Sequence, residues 1–320
     1  MMVFIYAVLI FLVLRFSVTL FNFLSNPKLG YYGKHFTDKV SIIVLTGPLG
    51  TDTKQLLDSI EQQDYAAVEV LVQDNESEDE LAAQADGRYL LFLNAATTVH
   101  HGLINSLIYR TKVFNLAVLG LLPTLKPSGF LEHCVYPLNY FILLNLLPLR
   151  LIRLSNLPSF AAGNTDCLFF DAVVYKAHRW HRQLGKAARS GTDIIKLVKQ
   201  QQQKAEVLLG NKFVYSNPGV NDTGGLATHL LANFGNSGFV TLIYLALVIA
   251  GPVFVLVNFD PTLAALPVGL IFLSRIMIAF LTAQKPVFNV LLHPLQMLLL
   301  FVLLLKGIWM RMLGSIKRKK

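Results

Sequence analysis

Two short apolar runs, Val68–Val72 and Tyr89–Leu93, each stop at a polar cluster, and they constrain this chain more than anything else in it. Runs of about five largely apolar residues that end in Asp, Asn and Ser are what buried parallel strands look like. Val40–Leu45, apolar and rich in β-branched residues, reads as a third such strand. In open α/β sheets the ligand site lies just beyond the carboxyl ends of the strands. Asp74, Asn75, Ser77, Asp79 and Asn94 are therefore expected to converge on one crevice. The fold class that follows is α/β, a mostly parallel sheet flanked by helices.

Strands alone do not account for the composition. A chain of 320 residues that is 54% hydrophobic, with a mean hydropathy of +0.52, is too apolar for a simple soluble protein. Met1–Leu24 lacks a basic leader and a small-residue cleavage site, so residues 1–24 read as an uncleaved transmembrane anchor. Residues 38–236 form the expected soluble domain. Phe239–Val257, Leu263–Leu281 and Val287–Leu305 are the expected membrane segments, filling residues 238–306 ahead of a basic tail at 307–320. The run Tyr140–Leu149 is too short to span. Leu131–Leu154 is therefore expected as an interfacial helix pair on the bilayer, with a buried core helix as the competing reading.

The net charge of +9 is placed beside apolar segments: Lys28, Lys34 and Lys39; Arg150 and Arg153; Lys306, Arg311 and Lys317–Lys320. That placement suits anionic lipid headgroups and argues against nucleic acid as a partner. By the positive-inside rule the soluble domain faces the cytoplasm of a multi-pass cell-membrane protein. Three full crossings after it would put the basic tail on the wrong side. The segment holding Pro294 is accordingly expected to be re-entrant or interfacial. Cys134 and Cys167 give no disulfide framework and are expected to be free and buried.

A resemblance attaches to the same residues. Glu69–Val72 with Asp74, Ser77 and Asp79, followed by Gly87 and Tyr89–Leu93 with Ala95 and Thr97, resembles the family 2 glycosyltransferases of GT-A type. Leu56–Ile60 and Gln63–Tyr65 fit that family's first helix and the turn after it. Tyr136–Arg150 is similar to its membrane-bound, lipid-modifying branch. The resemblance implies transfer of a sugar from a nucleotide-sugar donor to a lipid or polyisoprenoid-type acceptor. It places Asp74 near the nucleoside and makes Asp193 the base that deprotonates the acceptor hydroxyl.

The chain departs from the family at the positions that do chemistry. Gly47, Pro48 and Leu49 stand where a polar motif holds the base, and Asn75 replaces a second Asp. Asn94-Ala95-Ala96 replaces Asp-X-Asp, a helix–strand unit before Tyr89 is missing, and the terminal Gln-x-x-Arg-Trp is absent. Two carboxylates are needed there because a hard divalent cation and a diphosphate must be held together. Ala96 has no ligand atom, so no metal and no other cofactor are expected. The candidate site is Asp193 for catalysis with Asp74, Asn75 and Asn94 for the nucleotide-sugar.

Each of these residues has a plainer role open to it. Ser77 stands three residues before Glu80 as a helix capping box, and Asp193 is an ordinary first-turn acid. His100 and His101 read as solvated, and His178 and His181 as parts of a packing turn around Trp180. A non-catalytic relative is thus the alternative, a membrane scaffold or protein partner of another enzyme in a glycolipid pathway. Arg275, a lone intramembrane charge without an evident partner, gives no support to a channel or transporter.

Overall fold

The computed structural model describes residues 2–33, 35–46, 53–185, 190–217, 223–258 and 260–317. Gly47, Pro48 and Leu49, where the family's base-holding motif is replaced, lie outside them, as do Lys34 and the tail residues 318–320. In chain order the elements begin α1 (Met2–Ser25), β1 (Val40–Leu45), α2 (Lys54–Glu61), β2 (Val68–Val72), α3 (Glu78–Gln84), β3 (Tyr89–Asn94) and β4 (Thr97–Val99). They continue α4 (Leu103–Phe114), β5 (Val118–Leu122), β6 (Thr124–Leu125), α5 (Phe130–Leu146), α6 (Arg150–Leu154), β7 (Cys167–Asp171), α7 (Ala172–His178) and α8 (Trp180–Leu184). Next come α9 (Gly191–Gln200), β8 (Ala205–Leu209), β9 (Val214–Ser216), α10 (Thr223–Ala232) and α11 (Gly238–Leu245). A π-helical stretch, Ala246–Ala250, then leads into α12 (Gly251–Asn258), α13 (Pro261–Leu281), α14 (Pro286–Leu291) and α15 (His293–Lys317). Contacts divide these elements into two compact units.

The unit of residues 27–126 and 149–218 carries the sheets. Its main sheet has the order β2-β1-β3-β7-β5-β8. All pairings are parallel except those of β7, which runs antiparallel to both β3 and β5. The three apolar runs are neighbours, as their composition predicts. Val40 and Ile42–Val44, Leu90–Leu93 and Val118–Leu119 are all but inaccessible, the mark of strands covered on both faces. β2 is the edge strand and alternates between half-buried and exposed positions. The apolar run Val113–Thr124 is divided between a helix and a strand. Val113 and Phe114 close α4, Asn115 turns the chain in the left-handed region at φ 50°, and the strand begins at Val118. A second small sheet, β4-β9-β6, lies beyond Asn94.

One buried carboxylate ties this unit together. Glu206 on β8 is fully buried and accepts from Arg110 Nε and Nη2 at 2.7 and 2.6 Å. Arg153 Nε joins at 3.0 Å and Arg150 Nη1 at 3.5 Å. Three cations from α4 and α6 around one buried anion leave the Glu206 charge fully paired.

Residues 1–26, 127–148 and 219–320 form the other unit, whose described elements are helices. Among the described residues, four helical stretches are long and apolar enough to cross a membrane: Val3–Ser25, Gly238–Asn258, Ala264–Leu281 and His293–Leu313. The last corrects the expected boundaries. The apolar run from Val287 is broken at Leu292 into α14 and α15, and Pro294 falls in the first turn of α15, where a proline's missing N–H costs nothing. No kink within that span follows from it. α5 is likewise no surface helix. Cys134–Leu138 and Tyr140–Asn145 are buried in contact with α1, α13 and α15. Polar clamps hold it there: Thr19 Oγ1 donates to Asn145 Oδ1 at 2.9 Å, and Asn22 Nδ2 to the carbonyls of Leu144 and Leu147 at 3.0 and 2.9 Å. Where water is absent, such side chains must find partners inside the bundle. Cys134 and Cys167 are free and buried, one in each unit.

Candidate functional site

The carboxyl edge of the parallel strands is built by register. Leu45 pairs with Asn94, Val44 with both Val72 and Leu93, and Gln73 N–H donates to Val44 O at 2.9 Å. Asp74 and Asn94 therefore leave the same edge, two strand spacings or about 10 Å apart, with the end of β1 between them. Thr46 Oγ1 reaches across to Gln73 O at 3.1 Å and steadies the edge. Asp74 and Asn75 are exposed, and Asn75 Nδ2 donates to Asp74 Oδ2 at 3.1 Å.

Ser77 and Asp79 do not join this crevice. Ser77 Oγ accepts from Glu80 N–H, and the Glu80 carboxylate accepts from Ser77 N–H at 2.7 Å, a complete capping box for α3. Asp79 Oδ1 accepts from the Tyr175 hydroxyl at 2.7 Å, and that hydroxyl lies 2.8 Å from His181 Nδ1. A hydroxyl has one proton to give, so Nδ1 donates to Tyr175 and the chain of bonds fixes the His181 tautomer. His181, Arg179 and Arg182 line a polar cavity of about 470 Å³ with Asp79. Trp180 is fully buried and stacks on Phe170 at 5.8 Å, so the turn around it is held by packing.

Antiparallel β7 brings in residues that the sequence pattern did not single out. Its first residues arrive at the carboxyl edge of β3, where Asn94 N–H donates to Asp166 O at 3.1 Å. Asn164 Nδ2 donates to the Asp166 carboxylate at 2.8 Å, and Asp166 N–H returns a bond to Asn164 Oδ1 at 3.0 Å. Asp166 keeps some solvent contact, yet the surrounding protein desolvates it and pushes its carboxyl up to about 6. Hydrogen bonding by Asn164 and by the nearby Ser216 hydroxyl opposes the rise without cancelling it. Ser216 Oγ is itself buried without a partner of normal hydrogen-bond geometry. Burial also raises the thiol of the next residue, Cys167, which makes it inert.

The start of α9 docks on the same loop. Gly191 sits so close to Asn164 that a Cβ there would meet its backbone at 2.4 Å, and the space across from it is filled by Gly163. Thr192 Oγ1 accepts from Gly163 N–H at 3.1 Å. Asp193 is the third residue of this helix and completes a capping box: Ser190 Oγ donates to Asp193 Oδ2 at 2.7 Å, and Asp193 N–H donates back to Ser190 Oγ at 3.1 Å. Asn94, Asn164, Asp166 and the head of α9 are thus linked in series. Asp193 reaches the neighbourhood with one oxygen already engaged.

The Asn94–Ala96 loop offers little to a divalent cation. Asn94 Oδ1 accepts from Ala96 N–H at 3.0 Å, Thr97 Oγ1 donates to Asn94 O at 2.6 Å, and Ala96 has no ligand atom. Among the described residues no three His, Cys, Asp or Glu side chains gather as a metal site. His100 packs edge-on against Tyr215, and burial lowers its pKa. The donor set does not fit Mg²⁺ or Mn²⁺. A cation of the chain's own lies nearby instead. Asn217 N–H reaches Ala96 O at 3.4 Å, Lys126 N–H reaches Ser216 O at 3.3 Å, and the exposed Lys126 ammonium lies 3.8 Å from the centre of the Tyr215 ring.

No family model and no curated protein sequence matches this chain. Among solved structures it is similar to the mannosyltransferase PcManGT from Pyrobaculum calidifontis in complex with GDP-Man and Mn²⁺. That superposition has a TM-score of 0.51 at 12% identity and covers 96% of this chain and 99% of that chain. S. aureus TarS 1–349 in complex with UDP-GlcNAc matches with a TM-score of 0.38 at 12% identity, over 84% of this chain and 88% of that chain. The second score is too low to carry an argument. At such identity the first speaks for fold alone, and the fold it speaks for is GT-A-like.

Proposed function

We propose that this chain is a membrane-bound, family-2-like glycosyltransferase that moves a sugar from a nucleotide-sugar to a lipid-type acceptor, with a strongly altered donor site. One observation carries the reading: Asn94, Asn164, Asp166 and the head of α9 meet at the carboxyl edge of a GT-A-like sheet, where open α/β sheets bind their ligands. The GDP-Man held by PcManGT supports a nucleotide-sugar as donor. In this reading Asp74 and Asn75 face the nucleoside and Asn94 faces the sugar diphosphate. Lys126, rather than a metal, offsets the negative charge that builds on the leaving group. Asp193 takes the proton of the acceptor hydroxyl as general base. Asp166, with its carboxyl near neutrality, is a second group suited to moving protons. The chain would sit in the cell membrane with the sheet-bearing unit on the cytoplasmic side.

A second reading rests on a different observation. Asp193 Oδ2 is taken by Ser190 and Asn94 Oδ1 by Ala96 N–H, so both expected functional side chains serve local structure. A non-catalytic scaffold or partner protein in a glycolipid pathway would need nothing more. Calorimetry of the full chain with GDP and with UDP, each with and without Mn²⁺, and the variant Asp193→Asn in cells separate the two. The transferase reading expects metal-independent nucleotide binding. It also expects a roughly hundred- to ten-thousandfold loss of glycolipid product at unchanged protein level, because Asn keeps the cap but cannot act as base. No nucleotide binding, together with wild-type behaviour of Asp193→Asn, would leave the scaffold.

A further inference from the structure

Two arginines lie inside the helical unit with no carboxylate of the described residues to meet them. Arg15 is near the middle of α1 and Arg275 is in α13, and they are 7% and 1% exposed, so neither side chain escapes to a membrane surface. Both guanidinium groups converge on Phe141 of α5, with their central carbons 5.0 and 3.7 Å from its ring centre. The like charges are thus held within about 9 Å of each other, where a low-dielectric interior makes them repel strongly. Arg275 Nε donates to His293 Nδ1 at 2.8 Å, a neutral partner. Arg15 Nε, Arg275 Nη2 and the Tyr244 hydroxyl are buried and have no hydrogen-bond partner among the described residues.

The acidic residues of this unit are Glu132, Asp222 and Asp260. Glu132 caps α5, nine residues and about 14 Å along the helix from Phe141. Asp260 immediately precedes α13, some 22 Å of helix from Arg275. Asp222 lies outside the described residues. None of the ion pairs among the described residues includes Arg15 or Arg275. Intramembrane cations without a counter-ion are functional sites by default.

The surrounding space has two parts. A small cavity of about 40 Å³ is lined by Arg15, Phe141, Asn145, Ser274 and His293. Val248, Pro252, Ile271 and His293 also line a second, open cavity of about 490 Å³, otherwise apolar, with Met297 and Phe301 in its wall. Its size is that of a ligand site. Its wall includes Val248 and Ile249 of the π-helical stretch, a distortion that helices keep mostly where it serves a site. Water in the small cavity would satisfy N–H groups but would not offset two charges. An anion with an apolar tail answers both cavities at once.

We propose that the helical unit binds an anionic, phosphate-bearing lipid, its phosphate between Arg15 and Arg275 and its hydrocarbon chain in the adjoining apolar cavity. Such binding holds whether or not the other unit transfers sugar. The phosphate would take a hydrogen bond from the unpartnered Arg15 Nε, whose side chain lines the small cavity, and the Arg275 guanidinium, held against the same Phe141 ring, would add its charge at short range.

The test uses the full chain, delipidated in detergent and titrated by native mass spectrometry with short-chain phosphatidic acid, phosphatidylcholine of the same chains, and inorganic phosphate. Phosphatidic acid should bind at least about tenfold more tightly than phosphatidylcholine, and inorganic phosphate should not compete at the same concentrations. Arg15→Gln and Arg275→Gln should each erase that preference. Leu298→Trp, at a cavity-lining position that is 59% exposed and so open to a larger side chain, should weaken both lipids while leaving both arginines in place. Equal binding of the two lipids would overturn the proposal. So would phosphate binding as tight as phosphatidic acid, or phosphatidic acid affinity untouched by Leu298→Trp. The last arm stands even if the arginine variants fail to fold.

Discussion

Asp166→Asn is expected to make the protein more stable above neutral pH. Burial holds the Asp166 carboxyl at about 6, against about 3.9 for an unperturbed aspartate. The unfolded chain therefore releases this proton first. Between about pH 4 and pH 6 the native state still holds a proton that the unfolded state has lost, so stability falls as pH rises through that window. At roughly 1.36 kcal/mol per unit the full penalty above pH 6 is about 2–3 kcal/mol, and the remaining solvent contact of Asp166 points to about 2. An asparagine carries no charge, and its amide oxygen still accepts the bond that Asn164 Nδ2 makes at 2.8 Å. The variant should thus gain about 2 kcal/mol over wild type at pH 7.5 and almost nothing at pH 4. Because the two units need not unfold together, the assay is hydrogen exchange of peptides from β3 and β7 in the full chain, with intrinsic rates corrected for pH. A variant less protected than wild type at pH 7.5, or a difference that does not change with pH, would refute the burial argument. Loss of sugar transfer alongside the gain in stability would mark Asp166 as a group kept for chemistry at a cost in stability.

Two further outcomes test the frame around the site. Glu206→Gln should cost about 3–5 kcal/mol, because Arg110, Arg150 and Arg153 lose the buried counter-charge they share; thermal unfolding with an unchanged midpoint would contradict it. Gly191→Ala should force the head of α9 away from Asn164 and cost about 1–3 kcal/mol, since the new Cβ would stand 2.4 Å from backbone that cannot yield. Its readout is faster exchange at Gly163, whose N–H is otherwise held by Thr192, and normal protection there would show the contact to be looser than described.

Much of this protein is legible in its sequence because the signals are local. Val40–Leu45 and Tyr89–Leu93 announce buried strands by their continuous apolar composition and polar stops, whereas Val68–Val72, read in the same way, is a strand but the half-exposed edge one. Ser77 and Glu80 state their capping box within four residues. Length and hydropathy mark the candidate spans. Asp74 and Asn94 follow from the strands, since parallel neighbours end at the same edge.

Contacts between distant parts of the chain are a different matter. No local pattern says that β7 runs antiparallel, yet that direction alone sets Asp166 beside Asn94 and the head of α9 against Asn164. A parallel β7 would have carried Asp166 to the opposite edge. Hydropathy likewise cannot tell a helix lying on a bilayer from one enclosed by other helices. α5 is decided by what packs around it, with Thr19 and Asn22 reaching its last turn. Arg275 reads as a lone charge until the fold brings Arg15, 260 positions earlier, to the same phenylalanine. Sequence states what each segment prefers by itself. Which charges must share one interior is decided only when the segments pack.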